Sequence, residues 1–388
     1  MKILITGICG FVGSALTEAW LNAEPGIAIC GIDNFIRPGS EHNRGRLKKL
    51  GIKIYHGDIR SSSDFDAFPK ADWVIDAAAN PSVLAGIDGQ ASSRQLIEHN
   101  LQGTVNILEY CKRNGAGFIL LSTSRVYSIS PLASLPVVPQ DTAFKLRNDT
   151  QLPAGVSAEG VNESFSTARP YPLREYETRF RCLRSNTGQP FGFPVWIDRC
   201  GVLAGAGQFG KADQGIFSFW INSYLRRRPL AYIGFGGNGY QVRDCLHPRD
   251  LIPLVRKQVL APGGKAQVIN LGGGKKNAMS LAELSAWCSD RFGSHIVASN
   301  SRDRQFDIPW LIMDSSLARA LWNWEPETSL SANLAEIAVT PKHIRTGLSF
   351  RRNMTSAAMR NNSSNFSPSS FLPRMKRAAS ARLLSTSM

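Results

Sequence analysis

Nothing in this 388-residue chain approaches the roughly 20 consecutive apolar residues that a membrane-spanning helix needs. Nor is there a Cys-x-x-Cys; Cys9, Cys30, Cys111, Cys182, Cys200, Cys245 and Cys288 stand singly. An odd, dispersed set argues against a disulfide framework or a zinc site and for reduced thiols, so the expectation is a cytoplasmic chain without a structural metal. The opening MKILITG enters a strand directly and lacks the layout of a signal peptide. No Gly-Lys-Ser/Thr follows the first glycines, which excludes a P-loop. Acidic residues are missing from 340–388, where nine Lys/Arg stand without one Asp or Glu. The window 168–190 is similarly skewed, with five Arg against two Glu. These two segments supply most of the formal net charge of +15. The remainder is nearly balanced, which speaks against nucleic acid as a partner although the total charge invites it.

What is present is an alternation of strands and helices. MKILIT, GIAICGIDN, IKIYHGDI, ADWVIDAAA and GFILLSTS read as five strands, and FGFPVWIDRCGVL as a sixth. Helical patterns separate several of them, among them VGSALTEAWL and RQLIEHNLQGTVNILEYCKRNG, which ends at a glycine suited to a C-cap. Such an order predicts an α/β fold, a Rossmann-type doubly wound parallel sheet. Beyond it, QGIFSFWINSYLRRR, SLAELSAWCSDRF and DSSLARALWNWEP suggest a smaller mixed domain for substrate. The expected division is 1–200 for the dinucleotide domain and 201–340, partly interleaved, for the substrate domain. The polar, serine-rich, basic remainder, 341–388, has no periodicity and is expected to be disordered.

ITGICGFVGSAL places Gly7, Gly10 and Gly13 between the first strand and its helix. Glycines there permit a tight turn and let backbone amides, with Phe11 and Val12 at the helix start, approach a pyrophosphate. Asp33 ends the second strand twenty residues after Gly13. Its carboxylate can accept hydrogen bonds from ribose hydroxyls and would repel a 2′-phosphate, which favours NAD over NADP.

Gly-x-x-Gly-x-x-Gly, GIDN, GDI and DAAA together resemble the extended short-chain dehydrogenase/reductase superfamily, the NAD-dependent epimerase/dehydratases. The resemblance implies that Asn34 joins Asp33 in binding the cofactor and that Asp58 and Ile59 flank adenine. It implies further that Ala77 and Ala78 line the cofactor and that Asn100 sits in its cleft. In the second half, DRCGVLAGAGQFGKADQGIFSFWIN, YIGFGGNGYQVRD, NLGGG and DIPWLIMDSSLARALWNWEPETSL resemble the CDP-paratose 2-epimerases, also called CDP-tyvelose epimerases. By that likeness Arg243 binds nucleotide phosphates, for which a planar guanidinium is suited. Gln208 and Lys211 lie in a glycine-rich loop that covers the nucleotide, and His247 and Asp250 organise the loop after Arg243. The implied protein is a homodimer acting on a nucleotide sugar, with a CDP-sugar favoured over other nucleotide sugars. The implied reaction oxidises a sugar carbon to a ketone, presents the other face, and returns the hydride from NAD.

That chemistry uses a tyrosine whose pKa is lowered by a lysine one helical turn later, and a Ser or Thr from the fifth strand. LLSTSRVYS supplies the last of these as Thr123. The pair is missing: Tyr171 is followed four residues on by Glu175, and Tyr176 by Phe180. Two readings compete for the printed chain. Either Tyr171 or Tyr176 serves as base beside Arg174 or Arg179, or the chain is a non-catalytic NAD-binding relative.

Codon degeneracy offers a reason for the gap. CTA CGG GAG TAC GAA ACT CGC TTC CGA TGT encodes residues 173–182, and one base later it reads YGSTKLASD, a Tyr-x-x-x-Lys helix. In that frame Leu173 and Glu177 take the places of the tyrosine and the lysine. LRSNTGQPF and TPKHIRTGLSF also re-read as helical sequence, so 168–190 and 340 onward are expected to be translated out of frame. Sequencing genomic DNA across codons 165–192 is expected to return Tyr-Gly-Ser-Thr-Lys in the restored frame. An intact frame would mean that the pair is truly gone.

Overall fold

The computed structural model describes residues 1–80, 92–147, 149–168, 192–211, 214–261, 267–304 and 306–339. Tyr171, Tyr176, both segments read as out of frame and the tail expected to be disordered lie outside the described residues. The described residues belong to one unit, Met1–Pro341.

Seven strands form the main sheet. They are β1 (Lys2–Thr6), β2 (Ala28–Asp33), β3 (Lys53–His56), β4 (Trp73–Asp76), β5 (Gly117–Thr123), a sixth at Val195–Cys200 and a seventh at Gln267–Leu271. Every pairing between them is parallel. From one edge the order runs seventh, sixth, β5, β4, β1, β2, β3. The strands read as near-continuous apolar runs because both faces of the sheet are buried. Ile3, Ile5, Ile75, Ile119 and Ile269 belong to the core on one face, while Leu4, Val74, Phe118, Leu120 and Ile197 belong to the core on the other. The order reverses beside β1, so β1 and β4 part company beyond their C-terminal ends and leave a crevice there.

Helix α1 (Phe11–Ala23) follows β1 directly. The long helical pattern before β5 differs from expectation, because its path is Ser93–Leu96 in α-helix, Ile97–Gln102 in π-helix, and Gly103–Asn114 in α-helix again. A π turn shifts the side chains that follow it by one residue, which periodicity cannot reveal. Gly115 then stops the helix in the left-handed region, φ +63°.

The chain after the sixth strand divides its loyalties. Gln267–Leu271 completes the main sheet. Val202–Leu203, Val242–Leu246, Ala278–Ser280 and Trp310–Leu311 make a second, mixed sheet. Helices Ile216–Leu225, Leu281–Phe292 and Leu330–Val339 pack beside it around Phe217, Trp220, Leu284 and Leu334. The second of these helices opens on a capping box: Ser280 Oγ accepts from the Glu283 N–H at 3.0 Å, and the Glu283 carboxylate accepts from the Ser280 N–H at 2.7 Å. Among the described residues no helix is long and apolar enough to cross a membrane.

One buried acid stands out in the sixth strand. Asp198 is wholly buried, and its Oδ1 accepts from Gln258 Nε2 at 2.9 Å. Among the described residues, Asp198 Oδ2 and Gln258 Oε1 have no hydrogen-bond partner. Burial pushes the Asp198 carboxyl up to about 7, against the opposing pull of the Gln258 hydrogen bond. A proton on this carboxyl removes the buried charge and supplies a donor for a carboxyl–carboxamide pair. The folded state therefore holds a proton that the unfolded chain has already lost at mildly acid pH, and stability falls as pH rises between about 4 and 7. Asp198→Asn is expected to remove that slope, gaining roughly 1–3 kcal/mol on the parent between pH 5 and pH 8 in denaturant titrations. Parallel pH curves for parent and variant would refute a protonated Asp198.

Candidate active site

The crevice beyond β1 is built by close backbone approach. Gly7 lies in the left-handed region, φ +62°, and a Cβ there would sit 3.0 Å from Ala78 Cα. A Cβ at Gly13 would sit 2.4 Å from the Gly7 carbonyl oxygen, so α1 can reach the turn only because Gly13 has none. Gly10 begins the helix and provides no side-chain cap. The first-turn amides and the helix dipole consequently face open space, which suits the negative charge of a pyrophosphate.

Asp33 shapes the same turn from the next strand. Its carboxylate accepts from the Cys9 N–H and the Phe35 N–H, each at 2.8 Å. Burial raises its pKa, and these backbone bonds oppose the rise. Asn34 donates to Asp58 at 2.9 Å. Asp58 is otherwise held by Arg60, whose guanidinium lies 2.7 Å away. Burial pushes the Asp58 pKa upward, but Arg60 and Asn34 outweigh it and hold the carboxyl well below its usual range.

A cavity of about 850 Å³ opens over these residues. Of the sequence's candidates, Gly7, Gly10, Phe11, Val12, Asp33, Asn34, Ile59, Ala77, Ala78, Thr123, Gln208, Lys211 and Arg243 line it. Gly13, Asp58 and Asn100 stand behind the wall. Asn100 is fully buried and grips the backbone of cavity-lining Asn80 at two points: its Oδ1 accepts from the Asn80 N–H at 2.8 Å, and its Nδ2 donates to the Asn80 carbonyl at 3.0 Å.

The remaining candidates have partners that sequence did not foretell. Arg243 donates to Asp307 at 3.2 Å and to the Ile308 carbonyl at 2.8 Å, which orients its guanidinium in the cavity wall. Gln208 is a brace: Nε2 donates to the Leu203 carbonyl at 2.9 Å, and Oε1 accepts from Ser218 at 2.8 Å. Lys211 forms a tight backbone bridge with Gln214. His247 caps its own turn by accepting from the Arg249 N–H at 3.0 Å, and its other nitrogen meets Glu336 at 3.2 Å. Burial, with Arg249 nearby, lowers the imidazole to about 4 and keeps it neutral. Asp250 accepts from both the backbone and the hydroxyl of Thr328.

Thr123 ends β5 with its Oγ1 accepting from the Arg125 N–H at 3.2 Å. No tyrosine lines the cavity among the described residues. The nearby tyrosine–cation contact belongs to Tyr127, whose hydroxyl donates to Asn270 at 2.7 Å and accepts from Arg199 at 3.2 Å. Tyr127 is 1% exposed, and burial raises its pKa despite Arg199. It is a structural tyrosine behind the site.

The NAD dependent epimerase/dehydratase family matches residues 3–272. The chain belongs to that family, and NAD is its cofactor. It is similar to CDP-paratose 2-epimerase of Salmonella typhi, 27% identical over 350 residues that cover 85% of this chain and 96% of the relative. It is also similar to UDP-glucuronate 4-epimerase of Thermodesulfobacterium geofontis, 27% identical over 344 residues, 85% of this chain and 93% of the other. Among solved structures it resembles a variant of UDP-glucuronic acid 4-epimerase from Bacillus cereus in complex with UDP-4-deoxy-4-fluoro-glucuronic acid and NAD. There the TM-score is 0.67 at 25% identity, covering 87% of this chain and 98% of the other. The close glycine turn, the start of α1 without a side-chain cap and Asp33 at the end of β2 fit this cofactor.

Asn100→Ala would release both bonds to Asn80 without adding bulk. NAD affinity is expected to fall about tenfold or more, in keeping with two lost hydrogen bonds of about 1 kcal/mol each. Isothermal titration beside a thermal melt separates this from unfolding, and unchanged affinity would show that Asn80 needs no such support.

Proposed function

We propose that this chain descends from, and in its restored frame is, an epimerase acting at C2 of a CDP-activated deoxy-sugar. The observation that carries the reading is the shared cavity: the glycine turn, Thr123 and Arg243 all face one space. Bound there, NAD supplies an acceptor that takes a hydride from a sugar carbon and gives it back. The chain's own residues provide the setting. The start of α1 holds the dinucleotide phosphates, and Asp33 holds a ribose through whatever acceptor capacity the Cys9 and Phe35 amides leave. Arg243, kept in place by Asp307 and Ile308, takes the sugar nucleotide's phosphates, and Thr123 orients the reacting hydroxyl. The match across nearly the whole length of CDP-paratose 2-epimerase supports C2 chemistry on a CDP-sugar. The equal identity of UDP-glucuronate 4-epimerase supports a 4-epimerase as the nearest rival.

A second reading has its own observation. Without a cavity-lining tyrosine among the described residues, and without Tyr-x-x-x-Lys in the chain, the printed polypeptide binds NAD and turns nothing over. Purified protein is therefore expected to bind NAD but to leave CDP-, UDP- and dTDP-sugars unchanged by chromatographic product analysis. The frame-restored protein is expected to epimerise the CDP-sugar. Turnover by the printed chain that survives in Tyr171→Phe and Tyr176→Phe would point to a different base, and conversion of only UDP-sugars would remove the CDP assignment.

A further inference from the structure

Two segments of the cavity wall, distant in sequence, meet at one contact. Asn34, Ile36, Arg37, Pro38 and Gly39, in the loop after β2, and Ser40, which starts the helix Ser40–Lys49, line the cavity. Asn43 ties its far end to the glycine turn by donating to the Cys9 carbonyl at 2.9 Å. From the other half of the molecule comes Phe209, also in the cavity wall. Its ring lies on Gly39 so closely that a Cβ there would be 2.2 Å from Phe209 Cε2. Gly39 has φ +96°, so both its conformation and its neighbour require glycine. The ring also stacks on His42, with centroids 6.4 Å apart and planes 10° off parallel. Beside it Arg37 donates to Gln214 at 3.3 Å.

The base that presents Phe209 is rigid. Gln208 is braced at both ends of its amide, by Leu203 and Ser218. Gly210 lies so close to helix Ile216–Leu225 that a Cβ would be 2.5 Å from the Phe219 nitrogen. The ring itself remains 42% exposed. A large apolar side chain, fixed at its root and half open to solvent, gives a contact that costs little to break. It spans from the second half of the chain to the loop after β2 that lines the cavity.

We propose that Phe209 is a positioning residue: seated on Gly39, it holds the 34–40 loop closed over NAD and sets how long the cofactor stays. The inference rests on the family's cofactor occupying this cavity and is independent of which sugar is the substrate. Its chemical reason is retention. A reaction that lends a hydride to its cofactor and recovers it fails if the cofactor leaves in between, so the cofactor must outstay the cycle.

Two variants test it from opposite sides of the contact. Phe209→Ala removes the ring, and Gly39→Ala pushes the ring off while leaving it in the chain. NAD release is read by chasing fluorescent reduced NAD from each full-length protein with excess NAD. Hydrogen exchange is followed over 36–42. Release is expected to be about tenfold faster in both variants, a change equal to about 1.4 kcal/mol, with exchange over 36–42 raised in Phe209→Ala. The melting profile of Phe209→Ala is expected to stay cooperative, which separates loop opening from unfolding. Should Gly39→Ala fail to fold, Phe209→Ala decides alone. Release from Phe209→Ala within about twofold of the parent would overturn the proposal. A parent that holds no NAD would sink the cofactor's placement instead, and exchange over 36–42 would then judge the contact: no change in Phe209→Ala overturns it.

Discussion

The contact on which the rest depends is the meeting of α1 with the turn after β1, where no side chain can intervene. A Cβ at Gly13 would stand 2.4 Å from the Gly7 carbonyl, and one at Gly7 would crowd Ala78 at 3.0 Å. Because these backbones touch, the helix start points into the crevice where β1 and β4 diverge. Because Gly10 adds no side-chain cap, the positive end of the helix is left for an anion. Asp33 locks the arrangement from β2 through the Cys9 and Phe35 amides. The glycine turn, the start of α1, the buried Asp33 and the floor of the cavity are thus one packing solution.

Behind that floor a buried polar network ties the late strands to the early ones. Tyr127 joins Arg199 on the sixth strand to Asn270 on the seventh, and Asn270 takes Glu163 on its backbone amide at 2.6 Å. Such a network is costly unless each member is matched, and it fixes one arrangement of the turn that begins at Thr123. Placement of Thr123 accordingly depends on residues as far along the chain as Arg199 and Asn270. Tyr127 shows how exposure assigns roles: a phenol near a guanidinium is a candidate base in solution, but buried it is a strut.

Much of the architecture was legible without coordinates. Parallel strands buried on both faces must be apolar at consecutive positions, and the first six read that way. Gly7, Gly10, Gly13 and Asp33 announced the dinucleotide turn because backbone strain and charge leave so few acceptable residues there. Other features gave no such signal. The π turn at 97–102 has ordinary helical composition, and it changes which side chains face Asn80. Gln267–Leu271 reads as part of the second half, yet hydrogen-bonds into the main sheet. Gln208, placed over the nucleotide by resemblance, spends its amide on Leu203 and Ser218.

The sequence by itself determined the strand–helix order, the glycine turn after β1, the acid at the end of β2 and the absence of Tyr-x-x-x-Lys. Each of these rests on local rules of period, backbone freedom or residue identity. Only the tertiary structure decided that Asp307 orients Arg243, that Asn100 grips Asn80 and that Phe209 lies on Gly39. A side chain chooses its partner from what the fold brings within about 3 Å. That choice involves loops distant in sequence, where no periodicity or composition records who will be the neighbour.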